Sequence, residues 1–201
     1  MPPGHLQQRV RTTVQRAGNM ETRARAWTWR WLGFSASLAV AAIVLWSVVP
    51  ILTDSASQDH LLGELVGSHV RSLMVDHLTD VSSSDSHTVK PWFEGKLDFS
   101  PQVPDLTAQG FPLGGGRLDY LANRAVAALV YQRRQHVINL FIWPAGPDVD
   151  VEETRAARQG YHLIHWQAAG MTYWAVSNLN QRELQEFIQA VRHYISAATS
   201  P

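Results

Sequence analysis

Hydrophobic and polar positions follow one another along this chain in four different rhythms. From Trp31 to Leu52 the sequence WLGFSASLAVAAIVLWSVVPIL runs for 22 residues without a charge. A helix needs about 20 apolar residues to cross the hydrocarbon layer of a bilayer, so this stretch predicts a transmembrane helix. Its hydroxyls, Ser35, Ser37 and Ser47, can bond back to the preceding turn, and Pro50 lies near the far end, where interfacial water replaces the lost bond. Trp27, Trp29 and Trp31 flank one end and Trp46 approaches the other, as suits rings that prefer the headgroup zone. A buried soluble helix would be shorter and amphipathic, and a cleaved secretory signal would have a shorter apolar run behind a shorter leader.

The next rhythm is helical. Within residues 57–81, Leu62, Val66, Val70, Leu73, Met74 and Val81 recur on one side and predict an amphipathic helix that stops in Ser82-Ser83-Ser84-Asp85. Residues 87–113 carry Pro91, Pro101, Pro104 and Pro112 and read as extended chain with one short strand around Lys96–Phe99. Beyond Gly114-Gly115-Gly116, a glycine run that suits a turn or bulge, the pattern alternates. Runs at Arg117–Leu121, Ala125–Tyr131 and Val137–Trp143 predict two successive antiparallel hairpins, and Tyr161–Gln167 with Met171–Val176 a further one. Leu184, Phe187, Ile188, Val191 and Ile195 then mark a helix over Gln181–Ile195. The fold class is α+β: one transmembrane helix, then an exported domain with an amphipathic helix, an antiparallel sheet of about five to six strands and a C-terminal helix.

Charge orients this arrangement. The chain holds 17 basic and 17 acidic residues, but residues 1–30 carry six Arg against Glu21, so the chain after residue 52 carries 11 basic and 16 acidic side chains. Positive flanks stay in the cytoplasm. The division is a basic cytoplasmic tail over 1–30, the span over 31–52, a juxtamembrane amphipathic helix over 53–81 and a periplasmic α+β domain over 82–201. The zero net charge argues against gripping nucleic acid, and the basic tail suits an anionic lipid bilayer or a cytoplasmic partner. No cysteine is present, which removes disulfide scaffolds, thiolate metal sites and cysteine nucleophiles.

The candidate chemistry lies in the histidines. On a helical wheel His69, Asp76 and His77 fall on or beside the face of Leu62 and Leu73, and with His87 they could hold a metal or sense protons. His69 and His77 stand eight apart, whereas a helical zinc pair stands four apart, so the plainer reading is hydrogen bonds that orient the helix. Ser68-His69 and Ser86-His87 supply residue types of a triad without a G-x-S-x-G elbow, and no enzyme, metal or cofactor is expected. His162 and His165 read as half-buried sheet residues and Arg133-Arg134 as a solvated hairpin tip. The aromatic set Tyr120, Tyr131, Trp143, Tyr161, Trp166, Tyr173 and Trp174 forms either a partner-binding face or core filling.

Several blocks carry a resemblance: S-H-V-R-S-L-M (68–74), D-H-L-T-D-V-x-S-S-D-x-H-T-V-K-P-W-F (76–93), G-F-P-L-G-G-G-R-L-D-Y (110–120) and A-L-V-Y-x-R-R-Q-H-V-I-N-L-F-I-W-P (128–144), with G-Y-H-L-I-H-W (160–166) and M-T-Y-W-A-V-S (171–177) after them. Together they resemble proteobacterial single-pass transmembrane anti-sigma factors over residues 5–195. The most specific block is His87, Thr88, Val89, Lys90, Pro91, Trp92 and Phe93. The resemblance implies a bacterial inner-membrane protein that relays an envelope signal to an extracytoplasmic-function sigma factor, with a regulatory protease as a further partner. Members commonly begin with a helical domain bearing His-x3-Cys-x2-Cys, whereas P-P-G-H-L-Q-Q-R-V (2–10) resembles the linker after it. The sigma factor would be held through such an N-terminal domain, or by one or two helices of the tail that fold on binding. The alternative is an inner-membrane-tethered periplasmic binding or assembly module without a transcriptional role.

Overall fold

The computed structural model describes residues 57–74, 77–146 and 152–199, so the predicted tail and span lie outside the described residues. Among the described residues no helix is long and apolar enough to cross a membrane. The domain is α+β, built on a seven-stranded antiparallel sheet. Helix α1 covers 57–72; strand β1 is Val81–Ser82, and helix α2 is Ser86–Trp92. Strands β2 (Leu113–Leu121), β3 (Arg124–Arg133), β4 (His136–Pro144), β5 (Thr154–Arg158), β6 (Tyr161–Ala168) and β7 (Met171–Ser177) precede helix α3, Gln181–Thr199. Their spatial order is β1-β2-β3-β4-β7-β6-β5.

The predicted hairpins form where the turn chemistry allows. Ala122 and Asn123 between β2 and β3, and Ala169 and Gly170 between β6 and β7, have positive φ, as do Gln159 and Gly160 in a further hairpin, β5–β6, that the sequence pattern did not predict. Two such residues make the turn whose twist matches that of the flanking strands. The alternation of the strands then separates two cores. One face of the sheet gathers Leu129, Tyr131, Leu140, Ile164, Trp166 and Tyr173 under α2 and α3. The other gathers Ala128, Phe141, Trp143, Leu163 and Trp174 under Leu65 and Val66 of α1. All five residues that marked the last helix are buried. The aromatic set fills these cores, apart from Tyr120, which is 67% exposed, and the half-buried Tyr161.

Several expectations are corrected, beginning with the strand count, which is seven rather than five to six because the short edge strands β1 and β5 join the sheet. The first helix ends at residue 72 rather than 81: Leu73 and Met74 close it with bonds back to Val70 and Arg71, and Val81 leaves to pair with Gly116. The short strand at Lys96–Phe99 is absent; Glu94 and Leu97 make only an isolated bridge. The segment before it is helix α2, not extended chain, because the Asp85 carboxylate accepts the His87 N–H and caps it. The glycine run is a bulge, as expected, with the register shifting between Leu113 and Gly115, but it sits inside β2 rather than before it.

Gly116 also seats α2. A Cβ there would lie 2.9 Å from the Phe93 ring and 3.0 Å from Val89, so the buried Val89 of α2 and Phe93, the residue that caps its C-terminus, rest against bare strand backbone. Gly116→Ala should therefore destabilise the domain by about 1–3 kcal/mol through overpacking. Thermal unfolding of the detergent-solubilised chain, followed by tryptophan fluorescence, measures this. An unchanged transition would mean that α2 is not held against β2.

Candidate functional site

The periodicity of α1 placed Val70, Leu73 and Met74 on the buried side, and the structure turns the helix by about one residue, roughly 100°. Val70 is 37%, Leu73 46% and Met74 57% exposed, whereas Ser68, His69 and Ser72 are each at most 2% exposed. The middle of α1 is held by Leu65 and Val66, worth about 1.5–3 kcal/mol each when buried. The end of the helix beyond them is held by polar side chains.

Their partners come from β2 and β4. Ser68 Oγ donates to the Asp119 carboxylate and accepts from Arg117 Nη2 at 3.2 Å. Arg117 Nε and Nη2 also donate to Asp119 Oδ2 at 3.3 and 3.2 Å, and Nη1 donates to the Leu78 carbonyl at 3.3 Å. The guanidinium lies 5.6 Å from the Phe141 ring centroid. Burial draws the Arg117 pKa below the ordinary arginine value, with Asp119 opposing that shift. Asn139 Nδ2 donates to Ser72 Oγ at 2.9 Å, and Ser72 Oγ donates to the His69 carbonyl at 2.7 Å. Farther up the helix, Glu64 Oε2 accepts the Ala122 N–H at 2.9 Å, and Arg158 Nη1 donates to the Asp59 carbonyl at 2.9 Å. Four residues of one helix are thus tied to three strands and a hairpin turn.

His69 packs edge-on against Tyr161 with centroids 5.0 Å apart. Burial first, and then the charge of Arg117, lowers its pKa from 6.5 to about 4. Its Nδ1 and Asn139 Oδ1 are buried with no hydrogen-bond partner among the described residues. A group left in that state costs about 1–3 kcal/mol, so the joint stores free energy that an apolar joint would not. A polar cleft of about 290 Å³ opens beside it, lined by Arg71, Met74, His77, Asp80, Arg117 and Leu118 among others.

The predicted histidine cluster is not assembled in this way. His69 lies under α1, His77 is exposed at the cleft, and His87 is exposed on α2, which packs on the opposite face of the sheet. Asp76 lies outside the described residues. Among the described residues no group of three or more potential ligands is arranged to hold a metal ion. Ser68 is bonded to a carboxylate and a guanidinium rather than to an imidazole, so it forms no nucleophile–base pair. No family model, curated protein or solved structure matches this chain.

The other motif residues have structural partners. Trp92 lies 4.4 Å under Lys96 Nζ and packs edge-on with Phe93, while Thr88 Oγ1 reaches Asp85 at 3.5 Å. Val89 is buried, Lys90 is half-buried and Pro91 is exposed. Arg133 is not a solvated tip. It lies over the Phe111 ring at 4.7 Å and, with the exposed Arg134, pairs with Glu183 of α3. His162 and His165 are half-buried, and His165 stacks on Trp174 at 4.6 Å. The residues missed from the sequence are Arg117, Asp119 and Asn139. Arg117 and Asp119 alternate correctly for one strand face, which was the available signal.

Proposed function

We propose that this chain is a membrane-anchored transcriptional regulator of the anti-sigma class, in which the sheet domain reads an envelope signal and α1 carries it toward the span. The observation that carries the reading is the polar joint. The helix that begins five residues after the uncharged stretch ends at Leu52 is fastened to the sheet by Ser68, Ser72 and Glu64, with two orphaned polar atoms in the joint. Polar joints of this kind switch more readily than apolar ones, because water can replace their partners when they part. The charge asymmetry and the motif blocks support the inner-membrane placement, with residues 1–30 toward the sigma factor.

The test is a pull-down from detergent-solubilised membranes with the gene tagged at its chromosomal 3′ end. Recovery of an extracytoplasmic-function sigma factor is expected, and consistent failure to recover one overturns the reading. A C-terminal alkaline phosphatase fusion should be active, whereas a cytoplasmic reporter at the same position should be silent. The second reading, a tethered periplasmic binding or assembly module, is favoured by the open edge of β5. Gene deletion that changes an envelope phenotype and leaves every sigma-dependent transcript unaltered would select it.

A further inference from the structure

We infer that the polar cleft at the end of α1 binds a neutral saccharide, whose hydroxyls take over the partners that Ser68 and Ser72 hold in this structure. Three side chains of the sheet carry the site. Arg117 and Asp119 line the cleft side by side on β2, with Arg117 Nη2 and Asp119 Oδ2 3.2 Å apart. Together they hold one hydroxyl, Ser68 Oγ, which accepts from the guanidinium and donates to the carboxylate. A hydroxyl does both through one atom, and each hydroxyl of a sugar has the same capacity. Asn139 of β4 is the third. Its Nδ2 donates to Ser72 Oγ at 2.9 Å, while its buried Oδ1 has no partner among the described residues. An amide whose donor meets a hydroxyl and whose acceptor is idle suits two neighbouring hydroxyls, one accepting and one donating. The sheet thus presents more donors and acceptors than the two serines of α1 satisfy.

The walls of the cleft set the class of ligand. Its charged lining is balanced, with Arg71 and Arg117 against Asp80 and Asp119. Such a lining gives no net pull on an anion or a cation, whereas neutral hydroxyls bond to guanidinium and carboxylate alike. Met74 and Leu118, 57% and 39% exposed, line the same cleft and offer apolar surface to the C–H face of a sugar ring. A volume of about 290 Å³ lies at the lower limit of roughly 300–1,000 Å³ for small-molecule sites and suits a single ring. Hydroxyls seated on Asp119 and Asn139 displace Ser68 and Ser72, so ligand binding and attachment of the end of α1 compete. Saccharide binding rests on the proposed function only in taking the sheet domain as the receiver of the signal, and the sigma-factor pull-down is decided separately from it.

The experiment applies the labelled full chain, in nanodiscs of zwitterionic lipid, to a printed array of neutral, uronate-bearing and sulfated glycans. Calorimetry then measures affinity for the neutral glycans bound. Binding to at least one neutral glycan is expected, and Arg71→Ala, at an exposed position of α1, should weaken it several-fold. The decisive variant combines Ser68→Ala with Ser72→Ala. It loosens α1 yet should tighten binding by about fivefold to tenfold, since the ligand no longer has a protein hydrogen bond to break. A bound neutral glycan should also speed hydrogen exchange of the last turn of α1 in the parent. Absence of binding to every neutral glycan, binding to charged glycans only, or a folded double variant that binds no tighter than the parent overturns the proposal. Should the double variant not fold, exchange in the parent decides it: α1 amides that a bound neutral glycan leaves unchanged or slows overturn it.

Discussion

Replacing Arg117 with methionine should lower the free energy of unfolding by about 3–5 kcal/mol, the loss expected when one partner of a buried ion pair is removed. Methionine keeps most of the stem's length, so the effect isolates the guanidinium. What remains is an Asp119 carboxylate with a single donor from Ser68 and its own neighbour's N–H, and a Leu78 carbonyl that has lost the Arg117 Nη1 donor. Arg117→Met combined with Asp119→Leu should recover much of the loss, because an apolar pair of similar volume leaves no charge unpaired. Arg117→Lys should fall between them, since an ammonium lacks the fork that reaches Asp119, Ser68 and Leu78 together. Thermal unfolding and hydrogen exchange measure the series, and the amides of α1 should exchange first in Arg117→Met. A single mutant within about 0.5 kcal/mol of the parent would show that the joint contributes nothing. If α1 relays a signal, the same variant should change sigma-dependent transcription without any stimulus.

What could be read from the residues was whatever depends on near neighbours. Three hairpins and α3 were legible, since strand alternation and helical spacing are visible within a dozen residues. The orientation of α1 was not. Counting apolar positions favoured Val70, Leu73 and Met74, but Leu73 and Met74 lie beyond the helix end and Ser68, His69 and Ser72 take the buried side. Arg117 and Asn139, which make that burial tolerable, stand 49 and 67 residues from their serine partners. No local window sees them. The edge strands escaped for another reason: β1 has 2 residues, and β5, T-R-A-A-R, buries none of its side chains fully. Helix α2 was hidden by its proline, which sits near the end of a 7-residue helix and so interrupts little of it. Of the histidines singled out, His69 lies within the joint, whereas His77 and His87 are exposed; Asp76 lies outside the described residues.

Lowering the pH from 7 to 5 should weaken the domain by about 2 kcal/mol through His69 alone. Its folded pKa is depressed to about 4 from 6.5. Between those values the unfolded chain binds a proton that the folded chain refuses, so stability falls as pH falls. The loss begins as pH drops through about 6.5 and is complete, at about 3 kcal/mol, below pH 4. The groups that face the ring act in one direction: Tyr161 of β6 offers an aromatic edge, and Arg117 of β2 repels the imidazolium. His165, also lowered by burial, adds a contribution of the same sign from the β6–β7 pair, so the informative quantity is a difference. His69→Gln should flatten the stability profile between pH 7 and 5 by about 2 kcal/mol relative to the parent, and His165→Gln by less. Parallel profiles for parent and His69→Gln would sink the assignment. Because His69 lies on α1 with its ring against Tyr161, acid acts at the joint itself: protonation should favour conformations in which the ring meets water, and release of the end of α1 from the sheet is the movement that would expose it.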